Sequence, residues 1–143
     1  MTRRLLLLAA AAAAIAISGC GQAQKKEADI NLLLELHNEQ RGQRKMKPLE
    51  LDPYLVEYAK NHASWMARKN SMRHSDIGDL VGKYRTAGEN IAWNQKDEKQ
   101  VTVAWMNSRP HRANILNKNF SKVGFGMVLN SRGQPYWCTV FGD

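Results

Sequence analysis

Trp105-Met106-Asn107-Ser108-Arg109-Pro110-His111-Arg112-Ala113-Asn114-Ile115-Leu116 is a helical stretch with a stop written into its middle. Asp97 is a capping residue, and Val101, Ala104 and Trp105 follow it at helical spacing, so a helix arrives from the N-terminal side. Pro110 disfavours helical backbone at Arg109, which ends that helix near Ser108. A short helix restarts at His111 and carries Ile115 and Leu116. Downstream, Lys122–Leu129 and 136–141 are β-rich runs, and Asn130-Ser131-Arg132-Gly133-Gln134-Pro135 joins them as a hairpin loop.

Upstream of the stretch, Gly88-Glu89-Asn90-Ile91-Ala92-Trp93 reads as a glycine turn into a short strand. The segment 72–86 is less regular and contains His74. Before it, Asp52 caps a helix with Pro53 at its first position and Leu55, Ala59, His62, Ala63 and Met66 at helical spacing. That helix runs to about Lys69, where Asn70-Ser71 breaks it. Asp29 caps an earlier helix ending near Arg41, with Ile30, Leu33, Leu34 and His37 on one face and Gly42 closing it. Helices, strand, helices and hairpin in this order predict one α+β layered domain over 29–143. A chain of 143 residues, 43% apolar and 24% charged, has room for one such core.

The first residues belong to no core. Arg3 and Arg4 precede an apolar run over 5–17, too short for a membrane-spanning helix of about 20 residues but suited to an export signal. The run ends in Ile17-Ser18-Gly19-Cys20, which resembles the lipobox of bacterial lipoproteins. Residues 1–19 are therefore expected to be a lipoprotein signal peptide, Cys20 the lipidated residue and 20–28 a tether bearing Lys25 and Lys26. With Cys20 acylated, Cys138 has no partner for a disulfide and reads as a small buried residue. The net charge is +8 and falls to about +6 without the signal's two arginines. Export excludes nucleic acid as the partner; an anionic lipid or cell-wall surface fits, as does a charge kept for solubility. The domain is expected to be a monomer held at the membrane by its lipid.

Four histidines are candidates for chemistry. His62 lies among apolar helix positions and reads as packing. His37, beside Asn38 and Arg41, reads as part of a structural polar cluster. His74 and His111 stand at irregular points among polar neighbours, with Glu89 between them in sequence. Two imidazoles and a carboxylate are the ligand set of several open zinc sites, and also the parts of a general base with its orienting carboxylate. Spacing alone does not bring the three together, and three unrelated surface residues remain the alternative. Ser108 precedes His111 by three positions, so a Ser-His-Glu hydrolase can be drawn. No strained G-x-S-x-G turn surrounds it, and a helix-terminating or capping role is the plainer reading.

Taken in order, His37-Asn38-Glu39-Gln40-Arg41, His74-Ser75, Gly88-Glu89-Asn90-Ile91, the quoted stretch from Trp105 to Leu116, Gly124-Phe125-Gly126, and Tyr136-Trp137 through Phe141-Gly142 resemble the SCP/CAP superfamily. That superfamily comprises cysteine-rich secretory proteins, antigen-5-type allergens and plant pathogenesis-related proteins, and the compact bacterial branch is the most similar. The resemblance implies a three-layer α-β-α sandwich with an open cleft lined by His74, Glu89, Ser108 and His111. It implies structural roles for His37, Asn38, Arg41, Asn90 and Trp105. Many eukaryotic members have a second glutamate where this chain has Ser108. The loss of a carboxylate weakens hard cations such as calcium most, so the cofactor the resemblance implies is zinc, or another divalent cation, held by His74, His111 and Glu89. The leading expectation is a binding module whose cleft takes a lipid, peptide or cell-wall fragment. The alternatives are a metal- or His/Glu-dependent hydrolase at the same cleft, and an envelope-structural protein meeting anionic polymer. The absence of a complete nucleophile constellation weighs against an enzyme.

Overall fold

A computed structural model describes residues 27–143; the expected signal, Cys20 and most of the tether lie outside the described residues. Helix α1 spans Ile30–Gly42, and the Asp29 carboxylate accepts the Asn31 and Leu32 N–H groups at its start. Strand β1 is the two-residue Glu50–Leu51. Helix α2 spans Pro53–Lys69, capped by Asp52 on the Tyr54 and Leu55 N–H groups and ended by Asn70 in the left-handed region, φ 47°. A single 3-10 turn, Ile77–Leu80, precedes strand β2, Ala87–Trp93. Helices α3 (Glu98–Asn107) and α4 (Arg109–Ile115) follow, then strands β3 (Lys122–Leu129) and β4 (Pro135–Gly142).

The strands form one mixed sheet in the order β1-β3-β4-β2; β1 runs parallel to β3 and the other pairs are antiparallel. Alternation along the strands sorts their side chains into two cores. Val123, Phe125 and Met127 of β3, with Trp137 and Phe141 of β4, face α1, α3 and α4 through Leu33, Val101, Trp105 and Ile115. On the opposite face Ile91, Tyr136, Cys138 and Val140 meet Leu55, Ala59, Ala63 and Met66 of α2. The α+β sandwich with helical layers on both faces of the sheet is therefore as expected. Gly124 and Gly126 are what let α2 lie against the sheet. A Cβ at 124 would fall inside the Leu55 carbonyl group, and one at 126 would come within 2.5 Å of the Ala59 carbonyl carbon.

Three elements differ from expectation. β1 was not anticipated, because two residues show no period. Gly88 is a strand residue rather than a turn; a Cβ there would meet the Phe120 ring at 2.9 Å. α4 begins at Arg109, not His111, since Pro110 falls in the first turn, where its missing N–H has no intrahelical partner anyway.

The cluster after His37 also divides. Asn38 holds the start of β1, its Oδ1 accepting the Leu49 N–H at 2.7 Å and its Nδ2 donating to the Leu49 carbonyl at 3.0 Å. The buried Arg41 guanidinium donates to the carbonyls of Lys47, Ile115, Asn117 and Phe120 at 2.9–3.0 Å, joining α1 to the end of α4 and the entrance to β3. His37 is not in this polar set. It is fully buried among the rings of Trp105, Phe125 and Phe141. Its Nδ1 donates to the Leu33 carbonyl at 2.8 Å while Nε2 is buried without a partner. Burial is the main reason its pKa falls to about 4, against the opposing pull of the Leu33 carbonyl.

Candidate functional site

Strand alternation decides what β2 presents. Glu89 and Ile91 point to the α2 face, while Asn90 and Ala92 point to the α3–α4 face. The Glu89 side chain is only 2% exposed, yet it is surrounded by donors. Oε1 accepts from His74 Nδ1 at 2.6 Å and from the Ser75 N–H at 3.0 Å; Oε2 accepts from Ser75 Oγ at 2.5 Å. The Cys138 thiol lies 3.7 Å from Oε2. Burial, reinforced by the Glu89 charge, pushes that thiol's pKa well up, so Cys138 stays protonated and unreactive, as expected of a packed residue. The His74 side chain is 60% exposed. A ring bonded through Nδ1 to a buried carboxylate keeps its proton on that nitrogen and leaves Nε2 as the basic, outward nitrogen.

His111 sits in the first turn of α4, which β2 fastens in place. Asn90 Nδ2 donates to the His111 carbonyl at 2.9 Å, Asn114 Nδ2 donates to the Glu89 carbonyl at 3.1 Å and to Asn90 Oδ1 at 2.8 Å, and Trp105 Nε1 donates to the Ile91 carbonyl at 3.2 Å. The structural roles of Asn90 and Trp105 lie in these bonds. The His111 pKa is lowered, first by burial and then by the charge of His74. The structure thus joins Glu89 to His74 from beneath, while His111 lines a separate hollow.

Sequence reasoning missed three participants. His62, taken as packing, donates from Nε2 to the Arg73 carbonyl at 2.7 Å, stacks on Trp65 and reaches within 3.9 Å of Glu89 Oε2. Tyr58 donates to Ser75 Oγ at 3.2 Å and to the Asp76 carbonyl at 3.0 Å. Ser75 holds both Glu89 oxygens. Tyr58 and His62 are four apart on α2, hence neighbours on one helix face, and together they pin the irregular segment that carries His74. That i, i+4 polar pair was the available signal.

Two hollows flank the histidines. One of about 380 Å³ is lined by Tyr58, His62, Trp65, His74, Asp76 and Asp79. The other, about 260 Å³ and mostly apolar, has His111 and Ser108 beside Met72, Ile91, Trp93 and Trp105. Ser108 occupies the break between α3 and α4 in extended backbone, and its side chain makes no capping bond. The role expected of it as a helix terminator holds; its hydroxyl is hydrogen-bonded to no histidine among the described residues.

The expected zinc set does not assemble. Both Glu89 oxygens are already engaged by His74 and Ser75, and that leaves two imidazoles. Among the described residues no group of three or more His, Cys, Asp or Glu side chains is placed to hold a metal ion. The carboxylate does serve to orient an imidazole.

Comparison with known proteins agrees with this architecture. A family model for CAP, the cysteine-rich secretory protein family, matches residues 34–141. Protein YkwD of Bacillus subtilis is 41% identical over 105 residues, which are 67% of this chain and 41% of that protein, so the chain spans about two fifths of this relative's length. An outer surface protein of Borrelia burgdorferi superposes with a TM-score of 0.73 at 20% identity, over 83% of this chain and 98% of that one. The protein NaASP2, crystallised with Zn2+, superposes with a TM-score of 0.68 at 18% identity, over 87% of this chain and 84% of that one. At those identities the two structures establish the fold alone. The chain belongs to the CAP, or cysteine-rich secretory protein, family.

Proposed function

We propose that this protein is a lipid-anchored, extracytoplasmic binding module whose His74–Glu89–His111 opening receives a small ligand: a lipid, a peptide or a cell-wall fragment. One observation carries the reading. The exposed His74 imidazole, at the rim of one hollow, is fixed through Nδ1 by the buried Glu89 carboxylate, and His111 lines a second hollow. Such a ring is a preorganised hydrogen-bonding group, whose orientation costs little on binding. Anchoring rests on the apolar run and Ile17-Ser18-Gly19-Cys20. No described helix is long and apolar enough to cross a membrane.

The His74–Glu89 contact is also the geometry of a general base, and it favours hydrolysis as the second reading. Ser108, the candidate nucleophile, lacks a histidine partner, which places binding ahead of it.

The test is a His74→Ala/His111→Ala double variant, assayed against phosphatidylglycerol vesicles, muropeptides and a peptide library. Ligand capture lost at an unchanged unfolding midpoint supports the binding module. Turnover by the native chain, absent in the variant, supports the hydrolase. Equal capture by both proteins contradicts the proposal. For the anchor, Cys20→Ser is expected to shift the protein from the membrane to the soluble fraction, and continued membrane association contradicts acylation.

A further inference from the structure

Acidic residues are missing from two stretches of the chain, 40–49 and 99–142, and the fold sets parts of these stretches side by side. The Arg41 guanidinium does this. It donates to the Lys47 carbonyl on one side and to the Ile115, Asn117 and Phe120 carbonyls on the other, so the loop 43–48 after α1 is held against the turn that leaves α4. The loop is also tied to the end of α1. The Lys45 N–H bonds the Gly42 carbonyl and the Met46 N–H bonds the Arg41 carbonyl, with Lys45 itself in the left-handed region at φ 54°.

The side chains this frame exposes are cationic: Arg44, Lys45 and Lys47 on the loop and Lys118 on the turn, with Arg109 exposed at the other end of α4. Among the described residues none of the five takes part in an ion pair. The acids that flank the loop in sequence are Glu39, which offsets at most one of these charges, and Glu50, which is paired with Lys122. Unpaired charges on a fixed backbone are a preorganised surface for an anion.

The partner follows from what surrounds the charges. The five cations spread along α4, which is about 10 Å long, and across the adjoining loop, so they match successive charges of a chain rather than one free anion. Three of the five are lysines, whose ammonium meets a phosphate as a point charge, whereas carboxylates favour the arginine fork. None of the exposed large apolar side chains, Tyr54, Met72, Val81, Trp93 and Val103, belongs to the loop, to α4 or to the turn after it, so nothing here inserts into a bilayer. The tether joins α1 at its opposite end, about 20 Å away.

We propose that the loop 43–48, with Lys118 and Arg109, binds a linear anionic polymer whose repeating charges are phosphodiesters. The choice of polymer over bilayer rests in part on the anchor proposed above. None of the five cations lines the hollow of His74 or that of His111, so the site does not depend on what those receive.

The test uses the full chain in neutral detergent and fluorescently labelled poly(glycerol phosphate) at low salt. Lys45→Gln/Lys47→Gln/Lys118→Gln is expected to weaken binding about tenfold or more. Lys60→Gln/Lys69→Gln/Arg132→Gln, which removes the same charge from exposed positions elsewhere, is expected to weaken it less than about threefold. Free glycerol 3-phosphate, and phosphatidylglycerol blended into the micelles, are each expected to leave the polymer bound at equal phosphate. The His74→Ala/His111→Ala variant is expected to bind the polymer as the native chain does, whatever its capture of other ligands. The proposal is overturned if the native chain does not bind the polymer, or if the two triple variants lose affinity equally, since net charge alone would then be at work. It is also overturned if the monomer or the lipid displaces the polymer, or if the histidine variant fails to bind it.

Discussion

Arg41 and His37 are both buried on α1, four residues apart, and burial has opposite consequences for them. Arg41 keeps its charge because four carbonyl dipoles replace its water, among them those at the C-terminal end of α4, where the helix dipole is negative. Replacing it by Met strands all four acceptors, so Arg41→Met is expected to lose at least about 3 kcal/mol in urea unfolding at pH 7. His37 has no such shell and stays neutral. Its folded pKa of about 4 lies below the ordinary 6.5, so on acidification the unfolded chain takes up the proton first. Its contribution to stability is whole above pH 6.5, declines as the pH falls toward 4, and levels off below. The full span is roughly 3 kcal/mol. His37→Leu removes this acid limb. The stability difference between pH 7 and pH 4, measured by urea unfolding, should be smaller in the variant by about that amount, and an equal difference would assign the acid sensitivity elsewhere. Adjacency in sequence suggested one polar cluster; only the fold separates a residue aimed at backbone carbonyls from one aimed at three aromatic rings.

At the scale of elements, what the sequence made legible was what local chemistry writes. Asp52-Pro53 with its apolar spacing specifies α2 to the residue, and Pro110 specifies the break between α3 and α4. β1 was illegible because its existence depends on β3, far along the chain. Gly124 and Gly126 were visible as glycines, but their reason, contact with the α2 backbone, is tertiary. Gly126→Ala puts a methyl group 2.5 Å from the Ala59 carbonyl carbon, against backbone that cannot rotate away. The strand and α2 must separate, and the expected loss is about 3 kcal/mol or more in a urea melt. A loss under about 1 kcal/mol would mean that α2 has room to shift on the sheet.

At the scale of the molecule, the proposed site draws on three separate parts of the fold. β2 supplies Glu89 from beneath, α2 fastens the His74 segment through Tyr58 and His62, and α4, tied to β2 by Asn90 and Asn114, brings His111. Motif order pointed to His74, Glu89 and His111, but spacing carried no information on which face Glu89 would take. That parity along β2 is what turns the expected ligand into an orienting group. The direct test is the tautomer of His74 in the folded protein, read from long-range proton–nitrogen-15 NMR correlations at a pH where the ring is neutral. The account predicts the proton on Nδ1, with Nε2 unprotonated. A ring protonated on Nε2 would contradict it, because Glu89 would then not be holding His74.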